Sequence, residues 1–412
     1  MALFNSASKN SEHTFVKHNP DMLNNFYGTT DVFPYWVADM DFEVAAPISQ
    51  ELARLVKRGV YSYEFNESAV YKSISSWYAK RHDITLSEQN FVQVPGVLSG
   101  IALLLRQMTK EGDRVLIHTP AYHQFANLIN KANRTVVTSD LIADETKYRI
   151  DFDHLEQQIK QQNVKVLIFC NPHNPTGRVW SKKELEMVVT ISKRHNVTII
   201  SDEIHADIIY DNSTFTSLTN FDYDNIVTLI GSPAKTFGMH SISNGYIYTN
   251  NGTMLAQIKS QVSAMYLDHG NAFSTFSTIA AYNKGEQWLE DMLSYLQGTV
   301  DWIEHFIATR IPEIKMYRPE GTYQIWFDFS GLSLSDEQLK TLIFNEAKMG
   351  LTPGTWFGVD ESHFMRMNIA TSRDSIETSF ELLANAVSAY HNGSITLMPP
   401  CQGKQSSSNC CD

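Results

Sequence analysis

The chain contains little cysteine, only four of its 412 residues. Cys170 stands alone at a predicted strand end, whereas Cys401, Cys410 and Cys411 fall within the last dozen residues. This distribution shows neither a disulfide framework nor the paired spacing of metal ligands, so we predict no metal site. Because proteins of oxidising compartments depend on disulfides far more often, we predict a cytosolic location.

Long apolar runs and clusters of positive charge are also missing from the sequence. The apolar stretches are too short to span a bilayer, and the N-terminal stretch lacks the apolar core of a signal peptide. A formal net charge of −12 argues against a surface for nucleic acid. The 43% of hydrophobic residues suffice for a core divided over two or three domains. We therefore predict a globular protein that binds neither a membrane nor a nucleic acid.

Polar residues follow directly on three apolar runs that are predicted strands. These runs are residues 166–169, 197–200 and 225–231. Their β-branched content is typical of buried parallel strands. They lead into segments that contain Asn174, Asp202 and Lys235, respectively. Since α/β sheets bind ligands at strand exits, these three side chains form a candidate site.

The three residue types fit the chemistry of pyridoxal phosphate. Lys235 supplies the primary amine that bonds to the aldehyde of this cofactor. The Asp202 carboxylate would keep the ring nitrogen protonated, and the Asn174 amide would donate to the phenolic oxygen. Taken singly, each residue has an ordinary interpretation as a solvated lysine, a turn-forming aspartate or part of a turn rich in Asn and Pro. Their combination at three strand exits favours the cofactor site.

The segments around these residues resemble fold-type I pyridoxal phosphate enzymes. More narrowly, they resemble the cystathionine β-lyase/C–S lyase branch of the class I/II aminotransferase-like group. The matching segments are residues 36–42, 170–180, 201–208 and 232–237. The resemblance implies pyridoxal 5′-phosphate as cofactor and a homodimer with shared active sites. It also implies an α/β fold, with a large, mostly parallel sheet domain covered by helices on both faces and a smaller α+β domain.

Predicted strands and helices alternate along the chain, in agreement with an α/β fold. We predict an N-terminal arm at 1–46 that packs with the small domain, a large cofactor-binding domain at 47–286, a small domain at 287–392 and a disordered tail at 393–412. Helices are predicted near 47–59, 96–110, 152–161, 182–195, 288–310, 336–349 and 375–391. Strands are predicted near 114–118, 134–137, 164–169, 197–200, 242–249, 323–329 and 364–369. The arm is predicted to be irregular up to residue 35.

Further residues are assigned to the cofactor. The predicted helix that starts at Gly96, Val97 and Leu98 offers free backbone N–H groups, which suit a phosphate. Ser232, at the exit of the strand before the lysine, is placed in the same set. Tyr122 is either a packing tyrosine or a ring stacked on the cofactor. A Thr-Pro-X-Tyr segment of the resembled family favours stacking, and Tyr122 or Lys235 would then protonate the leaving sulfur.

Other assignments rest on one observation or on the resemblance. His205 is either a hydrogen-bond partner of Asp202, three residues earlier, or a packed core histidine. Arginine is the natural clamp for a substrate carboxylate. Arg366 lies inside a predicted strand, and we expect a structural ion pair there. Arg373 matches the carboxylate-binding arginine of the resembled family, and a cation at a helix start would otherwise oppose the helix dipole.

One assignment concerns the assembly. The stretch that ends at Tyr63 reads on its own as a loop with aromatic anchors. In the resembled family, a tyrosine of the matching stretch reaches the cofactor phosphate of the neighbouring subunit. The resemblance therefore implies that Tyr63 binds the cofactor of the partner subunit.

The resemblance implies a C–S β-lyase that cleaves cystathionine or another cysteine S-conjugate to a thiol, pyruvate and ammonia. An aminotransferase of neutral or aromatic amino acids and a non-enzymatic regulator on the same fold stay open as alternatives. Ser243 occupies the position where many aminotransferases carry a phosphate-binding arginine, which favours the lyase. The segment from Gly238 to Ser241, with His240, departs from the Asn-Ile-Ala-Gly common in the lyases. We interpret this departure as a difference in the shape of the substrate, and not in the chemistry of the reaction.

Overall fold

The computed structural model describes residues 2–5, 14–64, 66–268, 270–358 and 363–397, and within these ranges the chain forms a large β-sheet of eight strands, a small β-sheet of four strands and a separate pair of short strands. The strands are β1 Phe33–Pro34, β2 Phe91–Val94, β3 Arg114–Thr119, β4 Thr135–Ala143, β5 Tyr148–Ile150, β6 Val166–Cys170, β7 Thr198–Asp202, β8 Val227–Gly231, β9 Gly245–Thr249, β10 Lys315–Tyr317, β11 Gln324–Asp328, β12 Met349–Gly350, β13 Thr352–Pro353 and β14 Phe364–Asn368.

Helices cover both sheets. They are α1 Ala2–Asn5, α2 Pro20–Tyr27, α3 Ala46–Arg58, α4 Glu67–His82, α5 Val97–Met108, α6 His123–Lys131, α7 Phe152–Gln162, α8 Lys182–Arg194, α9 Ala234–Phe237, α10 Gly252–Ala264, α11 Ala272–Lys284, α12 Glu286–Arg310, α13 Asp336–Lys340 and α14 Arg373–His391. No helix in the described part of the chain combines the length and the apolarity that a membrane crossing needs.

The large sheet has the strand order β2-β9-β8-β7-β6-β3-β4-β5. Its centre, from β4 to β8, is parallel, whereas β2, β9 and β5 pair antiparallel at the edges. The expected, mostly parallel sheet is therefore confirmed, with antiparallel strands at its two edges. In register, Cys170 at the end of β6 lies beside Asp202, and Asp202 lies beside Ile230. The chain segments that follow β6, β7 and β8 consequently leave the sheet side by side.

Two separate apolar cores cover the faces of this sheet. In β6, Val166, Ile168 and Cys170 belong to one core, and Leu167 and Phe169 belong to the other. This follows from the two-residue period of a strand, whose successive side chains point to opposite faces. Because helices lie on both faces, β6 is buried along its whole length, as its continuous apolar sequence predicts.

Local sequence signals explain where helices begin and end. Ser181 caps α8 and forms a capping box with Glu184. Asn19 accepts a hydrogen bond from the backbone N–H of Met22, and so starts α2. Gly59 ends α3 with φ of 67°, a conformation that glycine adopts without steric cost. Because capping residues are local sequence signals, the helix ends that they define can be predicted from the sequence.

The small sheet is antiparallel, with the strand order β10-β11-β14-β13. The arm contacts this part of the molecule, since β1 pairs in parallel with β12 through Phe33 and Met349. The exact domain boundaries stay predictions.

The structure confirms the predicted helices near 47–59, 152–161, 182–195, 288–310 and 375–391. The arm, however, is not irregular, because it contains α2. The helix expected at 336–349 passes into a π-helical turn at Thr341–Glu346 and ends before Met349, because Met349 pairs with the arm. The predicted strand at 134–137 extends to Ala143, because its second half pairs with β5.

The disordered tail that we predicted from residue 393 is wrong for its first residues. The backbone N–H groups of Ser394 and Ile395 donate to the carbonyl of Ala389, and Leu397 is buried in the core. An apolar side chain thus anchors the segment that follows α14. Residues 398–412, with Cys401, Cys410 and Cys411, lie outside the described residues.

Candidate active site

A cavity of about 300 Å³ lies at the exits of β6, β7 and β8. With the exception of Tyr63, it brings together every residue that the sequence analysis assigns to the cofactor. These residues are Gly96, Val97, Leu98, Tyr122, Asn174, Asp202, His205, Ser232 and Lys235. A second cavity, of about 510 Å³, shares Tyr122, Lys235 and His240 with the first and is also lined by Arg366.

Lys235 lies in the short helix α9, directly after β8, and its Nζ donates to the carbonyl oxygen of Ala38. Burial lowers the pKa of the Lys235 amine to about 8, against the opposing attraction of Asp39, and Arg366 lowers it further. At pH 7 roughly a tenth of this amine is therefore uncharged, against well under a hundredth at the ordinary pKa of lysine. An uncharged amine is what bonding to an aldehyde and removal of a proton both require.

Asp202 is the last residue of β7 and is buried. Its Oδ1 accepts a hydrogen bond of 3.1 Å from the backbone N–H of Ile204, and it forms no ion pair with any described residue. Burial raises the pKa of the Asp202 carboxyl to about 6, while the Ile204 N–H and Lys235 lower it. A cationic group placed against Asp202 would restore its ionised form, which fits a protonated ring nitrogen.

Asn174 and Arg366 are joined by a buried hydrogen bond of 3.1 Å, from Nη1 of Arg366 to Oδ1 of Asn174. The Asn174 oxygen is thereby used as an acceptor, and the amide nitrogen is left as the donor that a phenolic oxygen would need. The Arg366 guanidinium lies over the Phe357 ring at 4.9 Å.

Arg366 has no carboxylate partner among the described residues, so the structural ion pair that we expected for it is wrong. Its Nη2 donates instead to the carbonyl oxygen of Trp36 at 2.7 Å. Burial lowers the pKa of the Arg366 guanidinium to about 10. A buried cation without a counter-ion is costly and gains from an anionic ligand. Arg366 is therefore a buried cation in the cavity lining that has the capacity to bind an anionic group.

The structure corrects the assignment of Arg373, which lies away from both cavities at the start of α14. Its Nη2 donates to the carbonyl oxygen of Tyr295 at 2.9 Å and to the hydroxyl of Thr299 at 3.0 Å. These contacts with α12 offset the unfavourable interaction of the Arg373 cation with the helix dipole.

His205 is buried and lines the cofactor cavity, but no hydrogen bond joins it to Asp202 within the described structure. Its ring lies edge-on to Tyr323, with centroids 5.8 Å apart. Burial holds the pKa of His205 well below its ordinary value, and Lys235 and Arg366 add to this shift. Of the two alternatives for His205, the structure favours the packed histidine over the hydrogen-bond partner of Asp202, and the neutral ring lines the cavity.

The start of α5 and Ser232, which the sequence analysis assigns to the phosphate, both line the first cavity. Gly96 precedes α5 and provides no side-chain cap, so N–H groups of the first turn are available to an anion. The Ser232 hydroxyl donates to the carbonyl oxygen of Asn244 at 2.9 Å and accepts from the N–H of Ala234 at 3.2 Å. Tyr63, in contrast, is 91% exposed and lies at a different surface depression, beside Phe273.

The loop of residues 36–41 has a role that the sequence analysis missed, although it quoted these residues. Its carbonyl groups accept from Lys235 and Arg366, as described above. The Lys17 ammonium, buried in the arm, lies 3.0 Å from Asp41 and 3.2 Å from Asp39. Asn368 donates to the carbonyl oxygen of Asp39 at 2.6 Å. The arm and the small sheet thus hold this loop against the site.

Asp207 holds the segment that carries the lysine. Its Oδ2 accepts from the hydroxyl of Thr236, next to Lys235, at 2.8 Å. Its Oδ1 accepts from Trp77 Nε1 at 2.8 Å and lies 2.9 Å from His82 Nε2. One buried carboxylate therefore joins α4 to α9.

The donor set fits pyridoxal phosphate. It comprises a reactive amine, a buried carboxylate without a cationic partner, an amide donor and a helix start without a side-chain cap. The second cavity also contains a buried guanidinium, that of Arg366, which could bind a substrate.

Comparisons with known proteins point to the same chemistry. The family model described as aminotransferase class I and II matches residues 48–381. The chain is 30% identical to cystathionine beta-lyase PatB of Bacillus subtilis over 371 residues, which cover 89% of this chain and 96% of that protein. It resembles the crystal structure of a PLP-bound putative aminotransferase from Clostridium difficile, with a TM-score of 0.88, 34% identity and coverage of 93% and 99% of the two chains. The PLP-bound C-S lyase from Staphylococcus hominis gives a TM-score of 0.85, with 28% identity and coverage of 93% and 97%.

We expect the change Lys17→Met to raise the pKa of the Lys235 amine above its wild-type value of about 8. Lys17 neutralises Asp39, and without it the carboxylate stabilises the Lys235 ammonium more strongly. The pKa can be measured in cofactor-free protein as the pH dependence of Lys235 acetylation, followed by peptide mass spectrometry. Lys17→Arg keeps the charge and should titrate like the wild type. An unchanged or lower midpoint in Lys17→Met would contradict this role.

Proposed function

The chain belongs to the aminotransferase class I and II family, and we propose that it is a pyridoxal phosphate-dependent carbon–sulfur β-lyase. It cleaves cystathionine or another cysteine S-conjugate to a thiol, pyruvate and ammonia. The observation that carries this proposal is the joint cavity of Lys235 and Arg366, where an α-amino acid meets an amine and a carboxylate clamp. The relatives named as cystathionine beta-lyase and C-S lyase support lysis as the reaction.

Residues of the first cavity would hold the cofactor. The start of α5 and Ser232 would bind the phosphate, Asp202 would pair with the ring nitrogen and Asn174 would donate to the phenolic oxygen. Tyr122 lines the same cavity and would stack on the cofactor ring. When bound, the cofactor supplies an aldehyde that bonds to amines and a ring that accepts the electron pair left at Cα after deprotonation.

The protein's own side chains orient the substrate and move its protons. Arg366 binds the substrate carboxylate and thereby fixes Cα relative to Lys235. The Lys235 amine accepts the Cα proton, which its lowered pKa permits near neutral pH. The C–S bond then breaks with its electron pair on sulfur, and Lys235 or Tyr122 protonates the thiolate. A thiol, with an ordinary pKa of about 8.5, leaves readily. The remaining three-carbon fragment hydrolyses to pyruvate and ammonia.

Aminotransfer is the second candidate, because the similar Clostridium difficile structure is named a putative aminotransferase. That reaction needs the same Lys235 and Arg366 but consumes a keto acid and releases no thiol. Ser243 lines the cofactor cavity where many aminotransferases carry an arginine, which favours the lyase.

We further propose a homodimer with shared active sites and a cytosolic location. Tyr63 is supported as a residue that acts across the dimer, because it projects from the surface instead of into its own cavity. Tyr61 and Val60 beside it are also exposed, and a second copy of the chain would cover them. Such an interface would be isologous, so each subunit would give one Tyr63 to its partner.

We expect the protein to release pyruvate and a thiol from an S-substituted cysteine without added keto acid. Lys235→Ala should abolish this release, because both the bond to the cofactor and the proton acceptor are lost. Pyruvate and free thiol can be assayed together. Turnover that requires a keto acid would favour the aminotransferase, and normal thiol release by Lys235→Ala would refute the role of the lysine.

The two arginines offer a matched pair of variants. We expect Arg366→Met to lower kcat/KM by about tenfold to a hundredfold, the effect of losing hydrogen bonds to a charged group. Arg373→Met should change kcat/KM little, because its guanidinium binds α12. Steady-state kinetics of both variants with one S-conjugate will show which of the two arginines binds the substrate carboxylate. Equal losses, or a larger loss in Arg373→Met, would show that Arg366 is not the clamp.

Shared sites predict that two impaired variants complement each other. Tyr63→Phe should retain the cofactor about tenfold to a hundredfold less tightly, since one hydrogen bond to a charged phosphate is lost. Mixed with Lys235→Ala, it forms heterodimers in which one site carries both changes and the other carries neither. Activity at limiting cofactor should therefore recover after subunit exchange. Verified exchange without recovery would place Tyr63 outside the partner's site.

A further inference from the structure

The helix that carries Lys235, α9, is too short to hold its own position. It comprises only Ala234–Phe237, and a helix of this length is unstable by itself in water. The Lys235 side chain adds a hydrogen bond to the carbonyl oxygen of Ala38, but this bond uses Nζ, the atom that reacts. Other contacts must therefore fix the backbone of α9.

The two residues that follow Lys235 provide such contacts with α4. Thr236 and Phe237 are buried, and neither of them lines the two site cavities. The Phe237 ring meets the Trp77 ring of α4 edge-on, with centroids 5.5 Å apart. Thr236 reaches α4 through Asp207, because its hydroxyl donates to Asp207 Oδ2 at 2.8 Å. The 16-residue helix α4, which is partly buried in the core, thus supports the much shorter α9.

Asp207 uses both of its carboxylate oxygens in this connection. While Oδ2 accepts from Thr236, Oδ1 accepts from Trp77 Nε1 at 2.8 Å and lies 2.9 Å from His82 Nε2. The Nε atom of Arg81 lies 3.4 Å from the same oxygen. Burial raises the pKa of Asp207, but these three partners on α4 outweigh burial and hold the pKa below its ordinary value. Asp207 is therefore ionised at neutral pH, and hydrogen bonds to an ionised acceptor are the stronger kind.

The groups that we assign to the cofactor and the substrate are held by other contacts. Asn174 is bonded to Arg366, and the Ser232 hydroxyl is bonded to the backbone carbonyl two residues before β9 begins, in the segment that follows α9. These hydrogen bonds do not involve Thr236 or Asp207. The bond between Thr236 and Asp207 can therefore influence the placement of Lys235 without influencing binding.

Resting on the proposed lyase function, we infer that Thr236 and Asp207 are positioning residues that hold Lys235 at the distance from which it accepts the Cα proton. In this step the Cα–H bond breaks, the proton passes to Nζ of Lys235 and the electron pair stays with the substrate. A displacement of a reacting group by about 1 Å can lower a rate by about a hundredfold. Loss of the bond between Thr236 and Asp207 should therefore slow proton transfer and leave affinities unchanged.

Exchange of the Cα proton of L-alanine with solvent measures this proton transfer without C–S cleavage. In deuterium oxide the holoenzyme should replace the Cα proton of L-alanine by deuterium, which NMR detects. Thr236→Val is nearly isosteric and should lower the maximal exchange rate by about tenfold to a hundredfold, with an unchanged alanine concentration at half-maximal rate. Thr236→Ser keeps the hydroxyl and should exchange at a rate close to that of the wild type.

Thr299→Val is the matched control for this experiment. It also removes a buried hydroxyl that binds a charged group, the Arg373 guanidinium at 3.0 Å, but in α12. It should therefore exchange like the wild type. An unchanged maximal rate in Thr236→Val, or an equal loss in Thr236→Ser or in Thr299→Val, would overturn the inference.

Hydrogen exchange of the cofactor-free protein tests the positioning without any turnover. The backbone N–H groups of Phe237 and Met239 donate to carbonyl oxygens at the start of α9. In Thr236→Val these amides should exchange about tenfold faster than in the wild type, the effect of losing one hydrogen bond to a charged group. Mass spectrometry of the peptide that contains α9 measures the rates, and Thr236→Ser should match the wild type. Unaltered protection in Thr236→Val would show that Asp207 does not hold α9.

The same protein samples separate this inference from the lyase proposal. Failure to release a thiol from any S-conjugate, together with the predicted order of exchange rates, would refute the lyase and keep the positioning of Lys235. Release of thiol and pyruvate, together with wild-type exchange rates in Thr236→Val, would refute the positioning and keep the lyase.

Discussion

The burial of two positive charges without carboxylate partners is the constraint on which this site depends. Within the described structure, Lys235 and Arg366 are stabilised by carbonyl oxygens of Ala38 and Trp36 and by the Asn174 side chain. A carbonyl group stabilises a cation less than a carboxylate does. Lys235 therefore loses its proton readily, and Arg366 keeps its capacity for an anionic ligand.

This arrangement makes the N-terminal arm part of the site, although the arm lies outside the large sheet. The backbone carbonyl groups that accept hydrogen bonds from Lys235 and Arg366 belong to one loop, residues 36–41. Lys17 holds this loop through its acidic side chains, while Asn368 and Tyr323 bind its backbone. A substitution of Lys17 in the arm therefore alters the electrostatic environment of the Lys235 amine, even though Lys17 lines neither of the two site cavities.

The two cavities are lined mainly by residues from different parts of the fold. Cofactor-facing groups come from the exits of β6, β7 and β8, where the parallel register places Asp202 beside its neighbours. Substrate-facing groups come mainly from the arm and from the small sheet, which provides Arg366. On the proposed function, the substrate would lie where these parts meet, next to Lys235 and Arg366.

The sequence by itself determined the α/β fold, most helix bounds and, except for Tyr63, which of the residues assigned to the cofactor lie together in one cavity. Apolar runs and caps are local signals, and the exits of adjacent parallel strands necessarily meet at one edge of the sheet. Only the tertiary structure decided between Arg366 and Arg373, because the choice depends on which guanidinium lines the cavity and which packs on α12. It also revealed the loop of residues 36–41, since Arg366 and Trp36 are 330 positions apart. Contacts over such separations depend on how the folded elements pack, and no local pattern of residues specifies that packing.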